Sequence, residues 1–239
     1  MLGSGAMTNS IEDVTRKAEV IMLVGSNPEE AHPVIGMQIR AAVERGCRLI
    51  VVDPRDIGLA AHADIHLKLR PGTNVAFANG IVNYLIQHEL YDEDFVRERT
   101  EGFEILAATV RDYTPELVED ICGIDRRDLV AAAKMYAAAD AAAIMYCLGV
   151  TEHSTGTDGV MALSNIAMIS GNLGKPGGGV NRCAARTTCR ALATWAPVPT
   201  ICPATRRWPT PRWCAASKRR GGLRSRVRAA LRRLNASRP

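Results

Sequence analysis

Three short polar stretches of this 239-residue chain carry residue types suited to holding a phosphorylated ligand. They are Gly25-Ser26-Asn27-Pro28, Asp53-Pro54-Arg55 and Gly149-Val150-Thr151-Glu152-His153. Glycine at position 25 would let backbone approach a ligand closely. A helix starting after Asn27 would turn unpaired amides toward a phosphate. Asp53 is an acceptor for a ribose or base donor, and Arg55 can fork onto phosphate oxygens. The same residues also suit plain turns, and pattern alone favours neither reading. The G-x-G-x-x-G spacing of an ordinary nicotinamide site is absent. His153 alone reads as a loop residue, but three polar, ligand-suited loops together make a stronger case for a site.

Each stretch follows a short apolar run. Val20–Val24 ends at Gly25, Leu49–Val52 ends at Asp53, and Ala142–Leu148 ends at Gly149. Between the first two runs, Val34, Met37, Ile39, Ala42 and Val43 are spaced for one buried helix face, and Gly46 sits where that helix should stop. Buried strands around an amphipathic helix predict a parallel sheet flanked by helices, an α/β fold. Right-handed crossovers bring the strand ends to one edge, where ligands bind in such sheets. Ile65, Leu67 and Leu69 alternate with His66 and Lys68 as a less buried strand, followed by a turn at Arg70–Asn74 with Thr73 or Asn74 capping the next helix. Residues 92–139 read as a helical block, with Thr114-Pro115 and Asp125 as helix starts. A further helix is expected over about 157–170, closed by the glycine-rich stretch 171–179. His88 reads as structural, near a helix end whose dipole suits it.

Composition divides the chain sharply at Asn181/Arg182. Residues 1–181 carry 15 Lys and Arg against 25 Asp and Glu; residues 182–239 carry 15 Lys and Arg and no acid. All three tryptophans and four of the seven cysteines fall in the second part. The domains expected are therefore an α/β domain over 1–181 and a basic, disordered tail over 182–239. Such a tail would bind nucleic acid non-specifically through phosphate. No apolar run approaches the roughly 18–20 residues of a membrane span, and no secretory signal opens the chain, so a cytoplasmic protein is expected. The cysteines lack metal-ligand spacing; Cys47, Cys122 and Cys147 read as small core residues.

The ordered motifs resemble the molybdopterin oxidoreductases. They are Gly25-Ser26-Asn27-Pro28 with His32-Pro33, Val51-Val52-Asp53-Pro54-Arg55, and Leu69-Arg70-Pro71-Gly72-Thr73-Asn74. Thr100–Phe103, Tyr113–Glu116, Leu148–Thr151 and Gly171–Asn181 narrow the resemblance to the large subunit of formate dehydrogenases with a bis(molybdopterin guanine dinucleotide) cofactor. It covers about residues 3–181. It implies a dinucleotide-binding-like domain that holds one guanine dinucleotide arm. By position, Gly25, Ser26 and Asn27 would approach phosphates and ribose, with Glu30 near a ribose. Asp53, Pro54 and Arg55 would contact the nucleotide. Gly72, Thr73 and Asn74 would lie near the guanine, although the family more often has Asp at the third place. Gly149, Thr151 and His153 would face the pterin, and Glu152 stands where the family often has Gln. The family's Cys or selenocysteine metal ligand and its iron–sulfur cysteines have no counterpart in these residues. No catalytic or metal-ligating residue is therefore assigned. The expectation is a fragment inactive alone, which would not retain the cofactor, with other parts supplied from neighbouring reading frames. Two alternatives stand beside it: a non-catalytic nucleotide-binding module and a basic nucleic-acid binder.

The tail has its own reading. The family continues Gly-Val-Asn with Pro-Leu-Arg-Gly-Gln-Asn-Asn-Val-Gln-Gly-Ala-Cys-Asp-Met-Gly. Synonymous codons for Arg182–Ala196 can be chosen so that one added base spells that continuation. A one-base deletion after the Asn181 codon is therefore expected. Translation of GC-rich DNA out of frame explains the abundance of Arg, Ala, Pro, Cys and Trp.

Overall fold

The computed structural model describes residues 7–183. Its strands are β1 (Val20–Val24), β2 (Arg48–Val52), β3 (Ile65–Leu67), β4 (Ala142–Tyr146) and β5 (Gly179–Arg182). They pair in parallel in the order β3-β2-β1-β4-β5. The five residues of β1 and those of β4 are all buried, so both faces of the sheet need cover. On one face Met22, Val24, Ile50 and Ile144 meet Phe77, Val118, Leu129 and Ile166. These last four come from α4 (Asn74–Gln87), α7 (Pro115–Cys122), α8 (Arg126–Ala137) and α10 (Gly156–Ile169). On the other, Ile21, Leu23 and Val51 meet Val14, Ile39 and Leu59. Those come from α1 (Ile11–Lys17), α3 (Pro33–Glu44) and a 3-10 turn at Gly58–His62. The α/β class expected from sequence is the one observed.

Caps account for several helix starts. Ser10, Asp92, Thr114 and Asp125 accept from backbone amides in the first turns of α1, α5 (Glu93–Arg99), α7 and α8. Three more helices, α2 (Pro28–Ala31), α6 (Phe103–Val110) and the one-turn α9 (Leu148–Thr151), complete the set among the described residues.

Four expectations are corrected. The single helix after Asn27 is two: α2 (Pro28–Ala31) ends at His32, and Pro33 starts α3. Proline lacks the amide needed to continue a helix, and the new start rotates the face. Val34 and Met37 consequently point outward, 62% and 64% exposed, while Gly36, Ile39 and Ala42 are buried. Leu69 lies beyond β3. Thr73 occupies the N-cap place of α4 without capping it; its hydroxyl donates to the Arg70 carbonyl at 2.7 Å. The glycine-rich stretch closes α10 as expected, but Arg182 and Cys183, assigned to the tail, lie at the sheet edge: Gly179–Arg182 forms β5, and Cys183 beyond it is buried. Apart from Arg182 and Cys183, the tail expected to be disordered lies outside the described residues. No helix among the described residues is long and apolar enough to cross a membrane.

Candidate functional site

From β1 the chain crosses to β2 and β3 on one side, then returns to β4 on the other. The point between β1 and β4 is therefore the topological switch point, where open parallel sheets bind ligands. A cavity of about 420 Å³ opens there, lined from the ends of β1, β2 and β4 and from the turn after β3.

Gly25 and Gly149 form its floor. Gly25 has φ +54 and its carbonyl accepts from the Gly149 amide at 3.1 Å. A Cβ on Gly149 would stand 2.6 Å from that carbonyl oxygen, and one on Gly25 would stand 2.8 Å from the Gly149 backbone. The small residue expected to admit a ligand thus first admits another strand end. The Gly25 amide itself donates to the Val52 carbonyl, tying β1's end to β2's.

Asp53 and Arg55 form one wall. The Asp53 carboxylate, 3% exposed, accepts from the Arg55 amide at 3.0 Å, from Arg55 Nε at 3.1 Å and from Arg55 Nη2 at 3.3 Å. This hydrogen bonding raises the Arg55 pKa further, so the guanidinium stays charged. It is 62% exposed. Asp53, expected to receive a ligand donor, holds Arg55, and both line the cavity. The opposite wall is the turn after β3. Asn74 Nδ2 donates to the Gly149 carbonyl at 3.2 Å, and His153 Nε2 lies 3.0 Å from the same oxygen. Arg70 donates through Nη1 to the Asp120 carbonyl at 2.8 Å, which steadies a second guanidinium beside the cavity.

The structure therefore brings together eight of the residues selected from sequence: Gly25, Asp53, Pro54, Arg55, Gly72, Asn74, Gly149 and His153. Ser26, Asn27, Glu30, Thr73 and Thr151 are not among its lining residues. Ser26 is buried and its Oγ meets no hydrogen-bond partner; Asn27 Oδ1 and Thr151 Oγ1 are likewise buried without one. Glu30 is exposed on α2. That helix is four residues long and opens with Pro28, which has no amide to offer, so only the Glu29 and Glu30 amides remain free in its first turn. Arg70 and Glu152 also line the cavity. Arg70 could have been found, because it lies inside the Leu69–Asn74 motif. Of the three cysteines read as core, Cys122 and Cys147 are buried and Cys47 is half-buried; burial pushes the Cys122 thiol up to about 11.

The residues at the cavity fit a nucleotide. Two guanidinium groups suit phosphate, the size lies in the range of small-ligand pockets, and amide and imidazole groups supply polar contacts. Comparison with known proteins identifies relatives of this arrangement. The chain is 44% identical over 201 residues to the F420-dependent formate dehydrogenase subunit alpha of Methanocaldococcus jannaschii, covering 84% of this chain and 30% of that one. It is 42% identical over 180 residues to formate dehydrogenase H of Escherichia coli, covering 75% and 25%. In structure it resembles the acetylene hydratase of Pelobacter acetylenicus at a TM-score of 0.58 and 30% identity, over 72% of this chain and 25% of that one. It thus spans about a quarter to a third of the length of these proteins. The sequence matches the molybdopterin oxidoreductase family over residues 3–216, beyond the composition break at Asn181/Arg182. With the match spanning the sheet and every loop of the switch-point cavity, the chain belongs to the molybdopterin oxidoreductase family.

Proposed function

We propose that this chain is the part of a formate dehydrogenase-like oxidoreductase that holds one guanine dinucleotide arm of a bis(molybdopterin guanine dinucleotide) cofactor. The observation that carries this reading is the switch-point cavity, which Arg55 and Arg70 line together with Gly25 and Gly149. Arg55 and Arg70 would meet phosphate, with Asn74 and the Gly72 turn beside the base. When bound, the cofactor supplies molybdenum redox chemistry. The chain's own residues bind and orient: Asp53 keeps Arg55 charged and directed, and the two glycines keep the strand ends together. Formate oxidation and any partner subunits belong, on this reading, to the longer protein.

Titration of the full chain with GDP, followed by NMR, tests the proposal. A single arm without the pterin half should bind with Kd about 0.1–1 mM, or about −4 to −5.5 kcal/mol. Shifts should centre on Gly25, Arg55 and Asn74. Asp53→Ala frees the Arg55 guanidinium and should weaken binding about tenfold. Shifts confined to residues 184–239 would mean attraction by charge alone and would sink the reading.

For residues 182–239 we propose translation out of frame, carried by the re-reading of Arg182–Ala196. The family match to residue 216 pulls the other way. Resequencing the gene across the Asn181 codon decides: a restored base giving Pro-Leu-Arg-Gly-Gln-Asn-Asn supports the proposal, and an unchanged reading removes it.

A further inference from the structure

His66 lies outside the cavity, yet it touches the loop that presents Arg55. β3 is three residues long, and Ile65 and Leu67 turn toward the helices on one face. His66, between them, turns to the other face and is only 17% exposed. The β2–β3 ladder ends at the Val52–Leu67 pair, so Asp53 is the first residue past it. The Asp53 carbonyl lies 3.1 Å from His66 Nε2. A carbonyl oxygen only accepts, so Nε2 carries the hydrogen. The ring thereby supplies the bond that a longer ladder would have supplied. Its other nitrogen, Nδ1, is 3.8 Å from Asp56 Oδ1, which Lys68 approaches at 2.6 Å. One imidazole therefore spans the loop from Asp53 to Asp56.

We propose that His66 is a positioning residue for the cavity, holding the Asp53 backbone so that the Asp53 carboxylate can direct the Arg55 guanidinium. The chain of contacts is short. His66 fixes the carbonyl; the same residue's carboxylate binds Arg55 through its amide and Nε; Arg55 lines the cavity. The Asp56–Lys68 pair cannot replace this support, because Asp56 is 78% exposed and such pairs are screened by water and salt. The sheltered imidazole–carbonyl bond is not. Asp56 and Lys68 are the charged groups that face the ring, and the 3-10 turn on that side contributes buried Leu59. The consequence for ligand affinity rests on the proposal that the cavity takes a guanine nucleotide; the consequence for the loop does not.

The experiment compares the full chain with His66→Phe, which keeps a ring but no donor, and His66→Gln, which keeps a donor at similar reach. Amide hydrogen exchange is read first without nucleotide. His66→Phe should speed exchange of the Arg55 amide about tenfold, and His66→Gln should stay within about twofold of the parent. GDP affinity should follow the same order, weakened about five- to tenfold in His66→Phe and restored in His66→Gln. The ring nitrogens of the unaltered protein give a reading that needs no variant: the neutral imidazole should carry its proton on Nε2. Unchanged Arg55 exchange in His66→Phe, equal loss in both variants, or a proton on Nδ1 would overturn the proposal. Absence of GDP binding by the unaltered chain would overturn the nucleotide reading, while the exchange data still decide the role of His66.

Discussion

The two sides of the cavity are built by different physics. At the β1–β4 junction, Gly25 and Gly149 meet backbone to backbone, with no side chain between them. At the β2–β3 end, a carboxylate, a guanidinium and an imidazole tie the loop together through side chains. A steric junction has no alternative arrangement, because a Cβ at Gly149 would stand 2.6 Å from the Gly25 oxygen and could be admitted only by moving the strands. A polar loop can lose one bond and keep the others. The junction should therefore behave as part of the fold, and the loop as an adjustable support for Arg55.

The largest effect should come from Gly149→Val. It puts a branched side chain against the Gly25 carbonyl and should destabilise the whole domain by about 2–4 kcal/mol in urea unfolding. A loss below about 1 kcal/mol would show that the junction relaxes and would break the contrast with the loop. Arg55→Ala should cost less, about 1–3 kcal/mol, by leaving the buried Asp53 carboxylate with only the backbone amide as partner. Its damage should stay local: amide exchange should rise over residues 53–57 and remain unchanged in β1 and β4. Global loosening would mean that the two sides act as one unit.

The smallest effect concerns Asp13, at a third place where side chains meet backbone. Hydrogen bonds from Lys17, from the Gly177 amide and from Asn9 hold its carboxyl at about 2, below the usual 3.8. A depressed carboxylate stabilises the folded chain while ionised, above about pH 4, and that stabilisation is lost as pH falls toward 2. The Asp13–Lys17 pair is open to solvent, so salt will screen much of the effect. Thermal unfolding should show a shallow fall in Tm between pH 4 and 2 that Asp13→Asn flattens. An identical fall in that variant would assign the acid sensitivity to other carboxylates.

Much of this was legible in the residues. Val20–Val24, Leu49–Val52 and Ala142–Tyr146 have too many apolar side chains in succession for anything but strands covered on both faces. The positions of Gly25 and Asp53 at the first two ends followed from that alone; the third run was read to Leu148, but β4 stops at Tyr146 and Gly149 falls in α9. The caps at Thr114 and Asp125 were legible too, because a short polar side chain before a helical run satisfies its first amides locally. The outward turn of Val34 and Met37 was harder to see, since apolar spacing does not reveal where Pro33 restarts the helix.

Sequence by itself determined β1 to β4, most helices and the family, because those depend on neighbours along the chain or on motifs read in order. Only tertiary structure decided three other things. It decided that Gly25 spends its small size on Gly149, that Asp53 holds Arg55 instead of lying open, and that Gly179–Arg182 becomes a strand. Each depends on a partner far away in sequence or on which of several possible donors reaches an acceptor first. β5 shows the reason most plainly: its own residues, Gly179, Val180, Asn181 and Arg182, have little strand character, and it forms because β4 presents an unpaired edge.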